Sequence, residues 1–166
     1  MAEVDDWTLW LDRHGGTLLM LARQWAPSSS DAADIVQEGF LRFWRSRQSA
    51  ADPEAYLYAC LKRCAMDLHR GNRRRRQREF VAARDEGSGG WISDRPERES
   101  RMKEIEQGLM QLPPAQREVL TMKTWGRLTF EQIAAALEIS PHTAASRYRY
   151  ALEKLRTELR SKESVP

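Results

Sequence analysis

The stretch from Gly126 to Leu159 constrains the fold most, because it holds two helical patterns with only a short connection between them. The first pattern starts at Thr129. Gln132 follows at the spacing of a capping box, in which each side chain bonds a backbone amide of the other residue. The second pattern starts after Ser140, a favoured N-cap, with Pro141 in the first helical position, where a missing N–H costs nothing. The stretch therefore predicts two helices joined by a tight turn.

The second helix divides into two faces at about 100° per residue. One face is apolar and suited to packing: Ala144, Tyr148, Ala151, Leu152, Leu155 and Leu159. The opposite face and its flanks carry hydrogen-bonding and cationic side chains: His142, Thr143, Ser146, Arg147, Arg149, Tyr150 and Arg156. A recognition helix in the DNA major groove needs this division, with base contacts near its N-terminus and phosphate contacts on its flanks. An ordinary helical hairpin with a solvated polar face has the same pattern.

The composition fits a soluble globular protein of one or two small domains. The chain has 166 residues, of which 41% are hydrophobic and 31% charged. Its net charge is only +3, yet the run from Arg73 to Arg76 is densely basic, which favours a local anionic partner over a generally cationic surface. No stretch is apolar enough to span a membrane, and the acidic N-terminus is unlike a secretory signal. We therefore expect a cytoplasmic protein without membrane insertion.

The cysteines Cys60 and Cys64 lie one helical turn apart, with His69 nearby in sequence. A metal site needs more converging ligands than these. We interpret both cysteines as buried packing residues in a reducing compartment, and we expect no metal and no cofactor. A redox switch is an alternative that nothing else in the sequence supports.

The N-terminal half predicts a small bundle of three helices. They span Asp5 to Trp25, Asp31 to about Arg45 with Asp31 as N-cap, and Pro53 to about Arg70. Gly15 and Gly16 predict a break or bend in the first helix.

Residues 79–102 differ in composition, with a Gly- and Ser-rich run, mixed charges and little apolar periodicity. They predict a flexible interdomain linker. Trp91 is interpreted as a loose anchor onto a neighbouring helix, with a specific partner contact as the alternative. We therefore predict an all-α fold of two small helical domains: residues 1–78, a linker at 79–102, residues 103–160, and a tail at 161–166.

Three stretches in this order resemble the extracytoplasmic-function (group 4) sigma factors of bacterial RNA polymerase. DAADIVQEGFLRFWR (Asp31 to Arg45) resembles region 2.2, Pro53 to Arg76 resembles regions 2.3 and 2.4, and Leu112 to Leu155 resembles region 4. The resemblance implies a promoter-specificity subunit. Such a subunit binds core RNA polymerase at the β′ clamp helices and the β flap, recognises the −10 and −35 elements of promoter DNA, and promotes melting of the duplex.

The resemblance also implies residue roles. By this resemblance, the residues that dock on the β′ clamp helices are Asp34, Gln37, Glu38, Leu41 and Arg42. Binding of the −10 element falls to a loop and the helix after it: Arg47, Gln48, Ser49, Asp52, Tyr56, Tyr58, Lys62, Arg63, Asp67, Arg70, Arg73, Arg74, Arg75 and Arg76. Recognition of the −35 element falls to Ser140, His142, Thr143, Ser146, Arg147, Arg149 and Tyr150. The alternatives without a binding role are a solvated helix face for the docking set and a core position for Tyr58.

The known chemistry of nucleic-acid binding agrees with these roles. Single strands are bound by aromatic stacking beside a cationic track, and arginine bonds guanine bidentately, which favours Arg149 as a base contact. Three positions depart from the family: Arg63 stands where Asn is common, Ala145 where Lys or Arg is common, and Glu138 where a turn glycine is frequent. We expect altered base selectivity at Arg63, a missing contact at Ala145 and a slightly different turn at Glu138.

Two other functional classes fit parts of the sequence. A dimeric helix-turn-helix regulator would bind a palindromic duplex without polymerase. An enzyme such as a recombinase would need a nucleophile–base pair, a phosphate-binding glycine loop or clustered carboxylates, and the sequence offers none of these. An anti-sigma factor, often membrane-anchored, binds many members of the resembled family, although no residue here identifies one. No small-molecule substrate is expected.

Overall fold

The computed structural model describes residues 2–76 and 106–163, and the side chains of residues 6–74 and 106–157. Internal contacts divide the chain into two compact units, Met1–Gly89 and Gly90–Pro166. Every regular element in the described ranges is helical, which confirms the all-α class. The predicted linker at 79–102, with Trp91, lies outside the described residues. The predicted boundaries at residues 78, 102 and 160 stay predictions.

The N-terminal unit contains three long helices: α1 (Ala2–Trp25), α2 (Ser29–Ser46) and α3 (Pro53–Arg76), with a 3₁₀ turn at Arg47–Ser49 between the last two. α2 starts earlier than predicted, because Ser28 and not Asp31 is its N-cap. The Ser28 hydroxyl accepts from the Asp31 amide at 3.1 Å. α3 continues past its predicted end near Arg70, so the arginine run is helical.

The sequence predicted a break or a bend at Gly15 and Gly16, and the break is wrong, because α1 runs through both residues. Each glycine weakens a helix interior by about 1 kcal/mol. The next turns bury Leu18, Met20 and Leu21 completely or nearly so, and α1 packs on both α2 and α3. Burial of one such side chain contributes about 1.5–3 kcal/mol, so tertiary packing outweighs the two local penalties.

α2 and α3 approach each other most closely at Gly39. A Cβ atom at this position would lie 2.8 Å from Leu61 Cδ1 and 3.0 Å from Leu61 Cα. Phe43 and Leu61 are both fully buried at this contact between the two helices. Glycine therefore sets the spacing of the helix pair.

Aromatic side chains fasten α1 to the other two helices. The rings of Trp7 and Phe43 meet edge to face with centroids 4.7 Å apart. The indole N–H of Trp10 donates to Glu54 Oε1 at 3.1 Å, in the first turn of α3.

The C-terminal unit contains helical residues 106–110, then α4 (Pro114–Thr124), α5 (Phe130–Leu137) and α6 (Pro141–Glu163). The predicted capping box is present: Thr129 accepts from the Gln132 amide, and the Gln132 side chain accepts from the Thr129 amide. α6 runs into the segment that was predicted as a tail. The core of the C-terminal unit includes Val119, Met122, Leu128 and Ile133.

Gly39→Ala should lower the free energy of unfolding of the N-terminal unit by about 1–3 kcal/mol, because an added methyl group would overpack the contact with Leu61. The matched control is Gly16→Ala, where an added Cβ meets nothing within 4 Å. This second change should raise the free energy by about 0.5–1 kcal/mol, since alanine is the better helix former. Hydrogen exchange of the α3 amides measures both. Equal effects from the two substitutions would contradict the close approach at Gly39.

Candidate nucleic-acid interfaces

The outward face of α2 carries the predicted docking residues. The helix buries Ala32, Ile35, Gly39 and Phe43. The residues between them, Asp34, Gln37, Glu38 and Leu41, are exposed, and Leu41 leaves 44% of its surface open to solvent. The structure therefore brings these four together on one accessible face.

Arg42 differs from the other predicted docking residues, because its guanidinium is bonded on two sides. Nε donates to Glu38 Oε1 at 3.0 Å, and Nη1 donates to Asp67 Oδ2 on α3 at 2.9 Å. The carboxylates of Asp67 and Glu38 raise the pKa of Arg42 still further above its ordinary value. Arg70 Nη1 stands 3.9 Å from Asp67 Oδ1. This ion-pair network joins the docking face to α3, and sequence reasoning missed it.

The loop before α3 is ordered by its own polar groups. The Arg47 guanidinium lies 3.6 Å from the centroid of the Trp44 ring and donates to the Trp44 carbonyl oxygen. Asp52 Oδ1 accepts from the Ala55 amide at 3.0 Å, which is the geometry of an N-cap. Gln48 and Ser49 are exposed between these anchors. Of the four predicted loop residues, two are anchors and two face solvent.

Tyr58 is a core residue in this structure, which is the alternative to a −10 contact that the sequence left open for it. Its side chain is fully buried, and burial raises the pKa of its hydroxyl. The reason is that α3 packs against both α1 and α2, and all residues from 57 to 61 are buried. Tyr56 is half-buried, with its ring centroid 6.2 Å from that of Phe43.

The second half of α3 carries a cationic face. Positions 63, 67, 70 and 74 share one side of a helix at 3.6 residues per turn. They hold Arg63, Asp67, Arg70 and Arg74, all exposed. Arg73 is exposed beside them, whereas Lys62 is half-buried with its ammonium 4.7 Å from the Trp25 ring centroid. Arg75 and Arg76 belong to the helix, and their side chains lie outside the described residues.

α6 has the predicted packing face in part: Tyr148, Leu152 and Leu155 are half-buried, and the side chain of Leu159 lies outside the described residues. Ala144 and Ala151 are fully buried, and the small size of these side chains lets the helix pack closely on its unit. His142, Arg149 and Tyr150 are exposed, and Arg149 lies 5.1 Å from the Tyr150 ring centroid. Ser146 and Arg147 are half-buried.

The start of α6 is fixed by Ser140 and Thr143. Ser140 Oγ accepts from the Thr143 amide at 3.0 Å and lies 2.8 Å from the Thr143 hydroxyl oxygen. In the preceding turn, Glu138 has φ 56° and ψ 44°, the left-handed conformation that glycine favours. This conformation costs a side-chain-bearing residue about 1–2 kcal/mol. The turn thus closes in that geometry without a glycine.

Both cysteines are buried and reduced, as predicted. Burial raises the pKa of Cys64 to about 11, and it raises the pKa of Cys60 as well. A raised pKa lowers the thiolate fraction at neutral pH, which agrees with a packing role.

A groove between α1 and α2 was not foreseen from the sequence. It has a volume of about 190 Å³ and is lined by Trp7, Thr8, Leu11, Phe40, Leu41 and Trp44. Apolar periodicity in a sequence does not distinguish a half-open aromatic groove from a closed one.

Comparison with known proteins identifies the family. The model of sigma-70 region 2 matches residues 10–75, and that of sigma-70 region 4 matches residues 102–155. An RNA polymerase sigma-E factor of Streptomyces avermitilis is 30% identical, over 88% of this chain and 80% of that protein. The RNA polymerase sigma factor NccH of Alcaligenes xylosoxydans xylosoxydans is 31% identical, over 92% and 86%. The chain belongs to the extracytoplasmic-function sigma factors.

Solved structures share the fold of this sigma factor. RpoE of Bartonella quintana, in complex with the anti-sigma factor NepR, matches with a TM-score of 0.68 and 20% identity over 93% of this chain and 97% of that one. CnrH, in complex with the cytosolic domain of CnrY, matches with a TM-score of 0.61 and 22% identity over 93% and 87%.

This sigma factor acts in transcription initiation as a partner of core RNA polymerase and promoter DNA. Sigma factors are regulatory subunits without chemistry of their own. An independent helix-turn-helix regulator is the less favoured interpretation, because a sigma region 2 accompanies the helix-turn-helix unit. No helix within residues 2–76 and 106–163 is long and apolar enough to cross a membrane.

Proposed function

We propose that this sigma factor docks on core polymerase through α2, binds the opened −10 strand through α3 and the loop before it, and reads the −35 duplex through α6. The observation that supports this division most is the placement of the candidate residues. The exposed members of each set lie on the open side of a helix whose other side is buried in its own unit, or in the loop before α3.

The proposed docking set is Asp34, Gln37, Glu38 and Leu41. An exposed leucine among polar residues is a typical centre for a protein contact, since a few apolar anchors carry most of the binding energy. Arg42, the fifth predicted docking residue, stays in the proposal beside this set: two of its five N–H donors bond Glu38 and Asp67, and the other three remain for a contact with the polymerase.

The proposed strand-binding set combines a cationic track with polar and aromatic groups. Phosphates would be bound by the exposed arginines of α3, and each neutralised phosphate releases counterions. Gln48 projects from a loop that Arg47 and Asp52 hold in place, so it is suited to bond an unstacked base. The Ser49 hydroxyl donates to the Ser46 carbonyl oxygen at 2.8 Å, so Ser49 offers a base only an acceptor. Tyr56 is the aromatic group of this set. Arg63, in place of an amide, would favour phosphate or guanine over adenine.

The proposed −35 set is His142, Ser146, Arg147, Arg149 and Tyr150. Ser140 and Thr143 are occupied with the cap, so their role is to fix where the helix begins. Arg149 has the reach and donor geometry for the O6 and N7 atoms of guanine.

The protein has no catalytic step of its own in this proposal, and it works in the cytoplasm, where the polymerase is. The two solved relatives are bound to NepR and to the cytosolic domain of CnrY. We therefore include an anti-sigma factor among the candidate partners of this chain.

Arg149→Ala should weaken −35-dependent binding of the holoenzyme by about 1–3 kcal/mol, the range for loss of a bidentate base contact. The matched control is Arg156→Ala, two turns further along the same exposed side. Promoter binding by reconstituted holoenzyme, with and without a −35 element, measures the effect. A loss of core polymerase affinity in the Arg149 variant would count against its assignment.

Gln37→Ala combined with Leu41→Ala should weaken core polymerase binding about tenfold, because an exposed anchor and a polar neighbour are lost together. The control is Asp12→Ala combined with Arg13→Ala on α1. Like the Gln37 and Leu41 double variant, this control removes two exposed side chains and leaves the net charge unchanged. Titration of labelled sigma factor with purified core polymerase measures both affinities. Equal affinity of the two double variants would remove α2 from the docking role.

A further inference from the structure

We propose that Arg127, in the turn between α4 and α5, binds a phosphate of the promoter duplex beside the −35 element. This inference rests on the proposed reading of that duplex by α6, and it adds a contact outside the reading helix. Because the contact is with the sugar–phosphate backbone, it is independent of the base sequence.

The backbone of Arg127 has a conformation that is strained for an arginine. Its φ is 56°, in the left-handed region that glycine adopts without strain. Gly126 directly precedes it, yet no glycine in the described ranges has a positive φ. The strained position of this turn therefore carries a long cationic side chain, although a glycine there would give the same turn without strain. Such outliers cluster at functional sites, which makes Arg127 a candidate for a function.

Strain alone does not single out Arg127, because Glu138 has the same φ of 56° after the other end of α5. The two side chains differ in charge. A carboxylate repels phosphate, whereas a guanidinium binds it through charge-assisted, often bidentate hydrogen bonds. Charge and position therefore decide between the two residues, and Glu138 is a matched control for Arg127.

Lys123 and Phe130 hold the turn against the rest of the unit. The Lys123 ammonium donates to the Leu128 carbonyl oxygen at 3.1 Å and lies 4.7 Å from the centroid of the Phe130 ring. The Phe130 ring meets Tyr148 of α6 edge to face, with centroids 5.7 Å apart. Leu128 is fully buried. The turn that carries Arg127 is thus fixed at the start of α5, where α5 contacts α6.

This position agrees with the way in which helix-turn-helix units bind DNA. The second helix lies in the major groove, while the first helix crosses the phosphate backbone. Here α6 is the second helix, and α5, which starts three residues after Arg127, is the first. Tyr148, which Phe130 contacts, lies between Arg147 and Arg149 of the proposed −35 set. The start of α5 is therefore beside the part of α6 that we propose to read the duplex.

The Arg127 side chain is accessible, and the charge around it suits an anion. The residue is exposed, and its guanidinium has no hydrogen bond or ion pair with residues 6–74 or 106–157. From Lys123 to Ile133 the sequence holds two cations, Lys123 and Arg127, and one carboxylate, Glu131. Without Arg127, the carboxylate in the first turn of α5 would offset the single remaining cation. Arg127 is therefore the residue that makes this end of α5 attractive to phosphate.

The test uses holoenzyme reconstituted from purified core polymerase, with three labelled DNAs based on a promoter that this holoenzyme transcribes. The first DNA is intact, the second has a scrambled −35 sequence, and the third has no duplex upstream of the −10 element. Arg127→Gly should bind the first two about threefold more weakly, the scale of one exposed charge pair, and the third equally well. The slope of log affinity against log salt should fall in magnitude by about 1 on the first two, since one phosphate fewer is neutralised.

Three controls separate charge from backbone strain. Asparagine also tolerates the left-handed conformation, so Arg127→Asn should repeat the loss because the charge is gone. Arg127→Lys keeps the charge and should recover most of the affinity. Glu138→Gly relieves the same strain without removing a cation, and it should bind all three DNAs at least as tightly as the natural protein. The asparagine and lysine variants decide the question if Arg127→Gly proves unstable.

Each contrary result overturns the proposal in its own way. A loss confined to the intact −35 sequence would make Arg127 a base-reading residue, and an equal loss on the third DNA would remove the contact from the upstream duplex. Weaker binding of core polymerase by Arg127→Asn would make Arg127 a polymerase contact. Unchanged binding of all three DNAs by Arg127→Asn would leave the arginine without a role.

Arg149→Ala distinguishes failure of this inference from failure of the proposed function. It should lose affinity for the intact promoter and not for the scrambled one, because its proposed contact is with a base. If Arg149→Ala loses no affinity for the intact promoter, the reading role of α6 is rejected. If Arg149→Ala behaves as expected while Arg127→Asn has no effect, only the phosphate contact at Arg127 is rejected.

Discussion

The N-terminal unit depends on the close contact of α2 and α3 at Gly39. With no Cβ at this position, the backbone of α2 lies close to the side chain and Cα of Leu61, and the two helices form a closely packed pair. The exposed sides of the pair then have different tasks in our account, with docking on α2 and strand binding on α3. The same spacing brings Arg42 within hydrogen-bonding distance of Asp67, so the two faces adjoin at an ion pair.

The C-terminal unit also depends on close helix packing, here of α6 on the rest of the unit. Fully buried alanines, Ala144 and Ala151, let α6 pack closely, while His142, Arg149 and Tyr150 stay exposed. The capping box at Thr129 fixes where α5 begins, and the left-handed Glu138 and the cap at Ser140 fix where α5 ends and α6 begins. A helix that reads base edges needs such a fixed start, because its first two turns enter the groove.

Local chemistry made much of this predictable. The capping box at Thr129, the cap at Ser140 and the two faces of α6 are encoded within a few residues, and the structure contains all of them. The failures came from tertiary packing. Gly15 and Gly16 stay helical because α1 packs on both other helices, and Tyr58 is buried because α3 packs against both α1 and α2. The bond from Arg42 to Asp67 spans two helices, and single-sequence periodicity has no signal for such a pair.

The central claim is that one unit contacts the opened strand while the other contacts the intact upstream duplex. Site-specific photocrosslinking of holoenzyme on a promoter tests this most directly, with the crosslinker placed at position 63 in one preparation and at position 149 in another. The account predicts that position 63 crosslinks the non-template strand of the −10 element and that position 149 crosslinks the −35 duplex. Crosslinks from both positions to the same element, or from position 149 to single-stranded DNA, would contradict it.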